Sequence, residues 1–143
     1  MPTSSASATW QGGLKQGKGH FQGGSGLIAA DYSFPTRFEG AKGTNPEELV
    51  ASAHAACFSM ALSAGLEKAG TPPTSVSTTA TVTLDFVGGA PRITKIQLVT
   101  RGKVAGIDQA AFATAAAEAK DGCPISNLFK GNAAIELDAK LEA

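Results

Sequence analysis

Residues 45–66, NPEELVASAHAACFSMALSAGL, open as a helix opens. Asn45 can accept a hydrogen bond from an unpaired N–H of the first turn. Pro46 loses nothing there, because its missing N–H had no partner to find, and Glu47 and Glu48 complement the positive end of the helix. The 18 residues from Leu49 to Leu66 then carry no formal charge, with small or apolar side chains on nearly every face. A helix of that kind must be covered on every face, and one sheet of a chain this size covers one side. Eighteen residues lie at the short end for crossing a bilayer. With His54 and three serines inside and two-residue periodicity after it, the segment reads as a helix buried in a soluble core.

On the C-terminal side, residues 74–86 alternate. Val76, Ala80, Val82, Leu84 and Phe86 share one face, and Ser75, Ser77, Thr79, Thr81, Thr83 and Asp85 share the other, as in a half-buried strand. Val87-Gly88-Gly89-Ala90-Pro91 turns the chain, and 92–104 returns as the second arm of a hairpin. Asp108 caps an alanine-rich helix running to Lys120, with Gly122 ending it, and Cys123-Pro124 opens a shorter helix to about Lys130. A last strand buries Ile135, Leu137, Ala139 and Leu141. On the N-terminal side, glycine clusters separate two or three short strands around Ala8-Thr9-Trp10 and His20-Phe21. The order βββ-α-ββ-αα-β predicts one α+β domain over residues 1–143, a largely antiparallel sheet with a long central buried helix.

The 143 residues weigh 14.4 kDa and are 43% hydrophobic, enough for a single domain with a real core. Twelve basic residues balance twelve acidic ones with no Lys/Arg run, which argues against nucleic acid as a partner. Neither glycine-rich phosphate loop is complete: GKGHFQ lacks its last glycine. The N-terminus has no basic start followed by an apolar stretch, so the expectation is a cytoplasmic protein without a signal peptide or membrane segment.

Chemistry rests on few residues. Cys57 and Cys123 stand 66 positions apart with no CxxC, so they are either two buried thiols or a redox couple assembled by the fold. An ordinary thiol is about 3% ionised at pH 7, so a reactive one needs a positive neighbour. His54 lies one helical turn before Cys57 and serves as a core histidine, an electrostatic neighbour or a metal ligand. Arg37, in Phe34-Pro35-Thr36-Arg37-Phe38, is one of three arginines. It reads as a surface loop cation, or as a guanidinium that steadies a thiolate and a substrate oxygen, with Glu47 able to grip it in a bidentate pair. These residues leave open a thiol peroxidase, a metal-binding module on His54, Cys57 and Cys123, and a non-catalytic ligand-binding dimer.

Four segments resemble the OsmC/Ohr family, osmotically inducible protein C and organic hydroperoxide resistance protein. They are TRFEG (36–40), GTNPEEL (43–49), AHAACFSMAL (53–62) and DGCPIS (121–126), which run in order along the chain and look closer to the OsmC branch. The resemblance implies an intertwined homodimer with two central helices wrapped by sheets, and a thiol-dependent peroxidase acting on organic hydroperoxides and hydrogen peroxide. It implies Cys57 as the peroxidatic and Cys123 as the resolving cysteine, with Arg37 activating Cys57 and Glu47 orienting Arg37. It implies no metal or other cofactor, and an external dithiol as reductant, a lipoyl-bearing protein in the Ohr branch. Phe34, Phe38, Phe58 and Phe129 flank these motifs and can line an apolar slot for an alkyl group, or simply pack in the core.

One geometric expectation follows from the spacing alone. Ten residues separate Glu47 from Cys57, about 15 Å along a straight helix and roughly 80° around it. The two share a site only if the helix breaks, or if Glu47 comes from a two-fold partner.

Overall fold

The computed structural model describes residues 1–142, and they form two compact units, residues 1–48 and the remainder from Leu49. In the second unit, the alternating stretch becomes β4 (Ser75–Val87) and the return becomes β5 (Ala90–Lys103). They pair antiparallel from Val87↔Ala90 to Ser75↔Lys103, with one bulge at Thr83/Leu84 and Gly88-Gly89 closing the turn. The chain then crosses through α3 (Gln109–Gly122) and α4 (Pro124–Phe129). That crossover lets β6 (Ala134–Leu141) join the far side of β5 in parallel, with Ile96 opposite Ile135 and Leu98 opposite Leu137.

α2 (Pro46–Lys68) is unbroken over 23 residues. His54, Phe58, Leu62 and Leu66 recur every four residues as one buried stripe. Phe58, Leu62 and Leu66 join Ile96 and Leu98 of β5, Phe112, Ala116 and Ala119 of α3, and Cys123 in a single apolar cluster. On the opposite face Ser52, Ala53, Ala56, Met60 and Ala64 are exposed, Met60 at 78%. The helix is long and apolar enough, by length and composition, to cross a membrane. Within one chain it is covered on one side only, because a three-stranded sheet has only one face to offer it.

The first unit is a meander of β1 (Ala6–Gln11), β2 (Lys18–Gly23) and β3 (Ala29–Tyr32), antiparallel throughout, followed by α1 (Phe34–Phe38). The architecture is therefore α+β, with the strands divided into two three-stranded sheets rather than one, and one parallel pair. The short helix α1 is a correction to the loop expected around Arg37. Ser33 and Thr36 form a reciprocal capping box, and Pro35 sits in the first turn where no N–H is missed.

Gly102 of β5 is buried under α3, and a Cβ there would strike the edge of the Phe112 ring. Gly102→Ala is expected to destabilise the protein by about 1–3 kcal/mol through overpacking, read as a lower urea midpoint. An unchanged midpoint would mean that the ring moves aside freely.

Candidate active site

The two thiols meet. Cys57 lies half-buried on α2, Cys123 is fully buried at the junction of α3 and α4, and both are free. Their side chains are hydrogen-bonded to each other. The junction holds Cys123 from both directions. Its N–H donates to Ala119 O at 2.8 Å, ending α3, and its carbonyl accepts from the Asn127 N–H at 3.0 Å, starting α4. Gly122 is thus the last helical residue, and the extended backbone of Cys123 (φ −64°, ψ 123°) makes the stop.

The pair is electrostatically uneven. Burial pushes the Cys57 thiol up, and the neighbouring Cys123 sulfur adds to the rise against one donor, the Ile125 N–H. Burial acts on Cys123 in the same sense. It is outweighed by donors to that sulfur, namely the Ser126 N–H, Cys57, the Ser126 hydroxyl and the Ile125 N–H, so the Cys123 thiol lies below its ordinary value. Within one chain the surrounding donors favour charge on Cys123 over Cys57.

His54 takes neither thiol as its partner. Its Nε2 lies 2.7 Å from the Ser126 hydroxyl, its ring centroid is 6.0 Å from that of Phe129, and its side chain is fully buried. Nδ1 is buried without a hydrogen-bond partner among the described residues. Burial pushes the imidazole below its ordinary value, so it stays neutral. Among the described residues no group of three or more His, Cys, Asp or Glu side chains is placed to hold a metal ion.

Arg37 and Glu47 meet within the first unit. Arg37 donates from Nη2 to Glu47 Oε1 at 2.8 Å, and from Nε to Oε1 and Oε2 at 3.1 and 3.3 Å. The Glu47 side chain is only 10% exposed, so the fork holds the guanidinium against a nearly dry carboxylate. Asn45 joins the two helices. Its Nδ2 donates to Thr36 O at 3.1 Å, and its Oδ1 accepts from the Glu48 N–H at 2.9 Å as the cap of α2.

Trp10, Leu14, Tyr32, Phe34 and Phe38 line a cleft of about 250 Å³ beside Arg37. The Arg37 guanidinium sits 5.3 Å from the Phe38 ring centre, and the Phe34 and Phe38 rings are 4.9 Å apart. Trp10 and Tyr32 were not among the expected site residues. They flank Gly19 in register, Trp10↔Gly19↔Tyr32, with ring centroids 5.4 Å apart. A Cβ at Gly19 would strike both rings. The available signal was the one tryptophan and the one tyrosine of the chain on two short strands either side of a glycine-containing third.

The other two phenylalanines lie elsewhere. Phe58 is fully buried in the core cluster, which gives it packing rather than an apolar slot, and Phe129 is half-buried beside His54.

Residues 39–138 match the family model for OsmC-like proteins. The chain is 51% identical over 137 residues to the peroxiredoxin OsmC of Escherichia coli K12, covering 95% of this chain and 94% of that protein. Among solved structures it resembles the organic hydroperoxide resistance protein OhrB of Bacillus subtilis, with 27% identity, TM-score 0.77 and 95% and 98% of the two chains covered. It also resembles an organic hydroperoxide resistance protein, OsmC, from Legionella pneumophila, with 27% identity, TM-score 0.74 and 95% and 96% covered.

The buried imidazole sets a pH dependence. Its folded pKa lies below the unfolded value of about 6.5, so below that value the unfolded chain binds the proton more readily. The stability His54 contributes is complete above the unfolded pKa and is lost as pH falls toward the folded one. The drop in urea midpoint between about pH 7 and pH 5 should be larger in the wild type than in His54→Gln. Equal drops would remove His54 from the acid response.

Proposed function

This chain belongs to the OsmC-like family, and from that premise we propose that it is a cysteine-based peroxidase that reduces organic hydroperoxides, and hydrogen peroxide, in the cytoplasm. The observation that carries the reading is the Cys57–Cys123 pair, one residue half-buried and the other fully buried with its thiol against the first.

The Cys57 thiolate attacks the terminal peroxide oxygen. The O–O bond breaks, the alkoxide leaves and takes a proton, and Cys57 becomes a sulfenic acid. Cys123 attacks that sulfur, hydroxide leaves as water, and the Cys57–Cys123 disulfide forms. An external dithiol, which a lipoyl-bearing protein would supply, then gives up two electrons and two protons to restore both thiols. Each step balances with these thiols alone, so the reading assigns no metal or other cofactor.

Cys57 must lose its proton to attack, and within the chain the donors favour charge on Cys123 instead. A cation beside Cys57 shifts that balance toward the Cys57 thiolate. We assign that cation to Arg37, held by Glu47. Since α2 runs without a break from the Glu47 turn through Cys57, the second of the two geometric alternatives applies, with Arg37 and Glu47 of the partner subunit serving each thiol pair in a homodimer. The exposed stripe from Ser52 to Ala64 supports a helix–helix contact in that dimer. The same guanidinium steadies the departing oxygen, where charge grows in the transition state. The aromatic cleft beside Arg37, with Phe34 and Phe38, takes the alkyl group.

One equivalent of cumene hydroperoxide should remove both thiols and yield a linked peptide joining Cys57 to Cys123. Survival of both thiols would overturn the reading. Arg37→Ala should raise the apparent pKa of Cys57 and slow peroxide consumption about a hundredfold or more, whereas an unaltered pH–rate profile would strip Arg37 of its role. Light scattering at micromolar concentration should give a dimer, and a monodisperse 14.4 kDa species would refute the shared site.

A further inference from the structure

The peroxidase mechanism uses four side chains and leaves a fifth and sixth, both buried, unexplained. Ser126 has one hydroxyl proton. Nδ1 of His54 is buried without a partner among the described residues, and an orphaned N–H there would cost more than a bare lone pair, so the neutral imidazole carries its proton on Nε2 and donates it to the Ser126 oxygen across the 2.7 Å contact. The Ser126 proton is then left for the Cys123 sulfur, whose thiol that hydroxyl helps to lower. The result is a one-way donor chain, His54 to Ser126 to Cys123, ending on the sulfur that is hydrogen-bonded to Cys57.

We infer that Ser126, held by His54, positions the resolving sulfur as the leaving group of the reductive half-reaction. The inference rests on the disulfide chemistry proposed above. An incoming thiolate can reach only the half-exposed Cys57 sulfur, because Cys123 has no exposed surface. It bonds to Cys57, the S–S bond breaks, and Cys123 departs with the electron pair as a thiolate. The second thiol of the dithiol then displaces Cys57, and the two protons it brings end on the two cysteines. A leaving sulfur departs faster the more its anion is stabilised, and the structure with free thiols shows the donors already in place around that sulfur. His54 stands three residues before Cys57 and Ser126 three after Cys123, so each donor lies one helical turn from the sulfur on its own element. Around Ser126, a surface cavity of about 170 Å³ also carries Lys120, Asp121 and Lys130. These charges are common to every variant below, so differences between variants report the donor chain.

The test compares Ser126→Ala, Ser126→Thr, His54→Gln and His54→Leu with wild type in the intact dimer. Oxidised protein is reopened with dithiothreitol, single-turnover consumption of cumene hydroperoxide is timed, and Cys123 is titrated by its ultraviolet thiolate absorbance in a Cys57→Ser background. Ser126→Ala should slow reopening about tenfold, lower the ratio of reopening to peroxide consumption, and move the Cys123 titration up by about one pH unit. Ser126→Thr and His54→Gln, which keep a donor, should recover most of the loss, and His54→Leu should not. General damage would slow both half-reactions equally and leave the titration in place. Wild-type reopening and an unmoved titration in Ser126→Ala would overturn the inference. If Ser126→Ala fails to fold, His54→Gln against His54→Leu gives the same reading. If the wild type forms no disulfide at all, the peroxidase reading fails, while the Cys123 titration still decides whether the donor chain acts on that sulfur.

Discussion

Helix α2 and the α3–α4 junction are tied together twice, by a sulfur pair and by an imidazole–hydroxyl pair one helical turn further along each element. The second tie lets the first exist. A buried neutral histidine is tolerated where its N–H finds an oxygen, and a buried thiolate is tolerated where several donors converge on it. Ser126 does both at once, accepting from His54 and donating to Cys123. The apolar cluster of Phe58, Leu62, Leu66, Phe112 and Ala116 encloses the same junction, so the positions of both sulfurs are set by packing that no flexible loop can relax.

That arrangement explains an inversion between burial and ionisation. The more deeply buried sulfur is the more acidic, because backbone and side-chain donors surround it, while the more accessible one meets mainly its neighbour. A chain built this way leaves its half-buried thiol quiet until a cation stands beside it. In the proposed dimer that cation is Arg37, which the Glu47 fork already orients. The exposed helix stripe and the unfavourable ionisation of Cys57 are the two observations on which the proposed dimer rests.

Much of the fold was legible in the sequence for physical reasons. Asn45-Pro46-Glu47-Glu48 announced a helix start because each residue answers a different deficiency of a first turn, and the alternation after Ser75 announced a strand because one face must stay dry. The partition into two sheets was not legible, since strand partners depend on where a crossover returns, and β6 joins β5 only after two helices have intervened. Helix α1 was hidden because Phe34-Pro35 reads as a turn until Ser33 and Thr36 are seen to cap each other. Cys57 and Cys123 were identified as a couple through family motifs. Their 66-residue separation carries no geometric information, and two of the donors that bias them are the backbone N–H groups of Ile125 and Ser126, which no residue code advertises. The partnership of His54 with Ser126, 72 positions apart, was invisible for the same reason.

Gly19 carries a different kind of consequence. It lies between Trp10 and Tyr32 in the register of the first sheet, and its missing side chain is what allows the two rings to close over the strand. Three positions on three strands therefore behave as one unit under mutation. A side chain at position 19 strikes each ring separately and is accommodated only once both have been trimmed or moved, so the costs of change at these sites do not add. The sheet can exchange its aromatic wall for another only by altering several of these positions together, and single-step drift at any one of them meets a barrier raised by the other two.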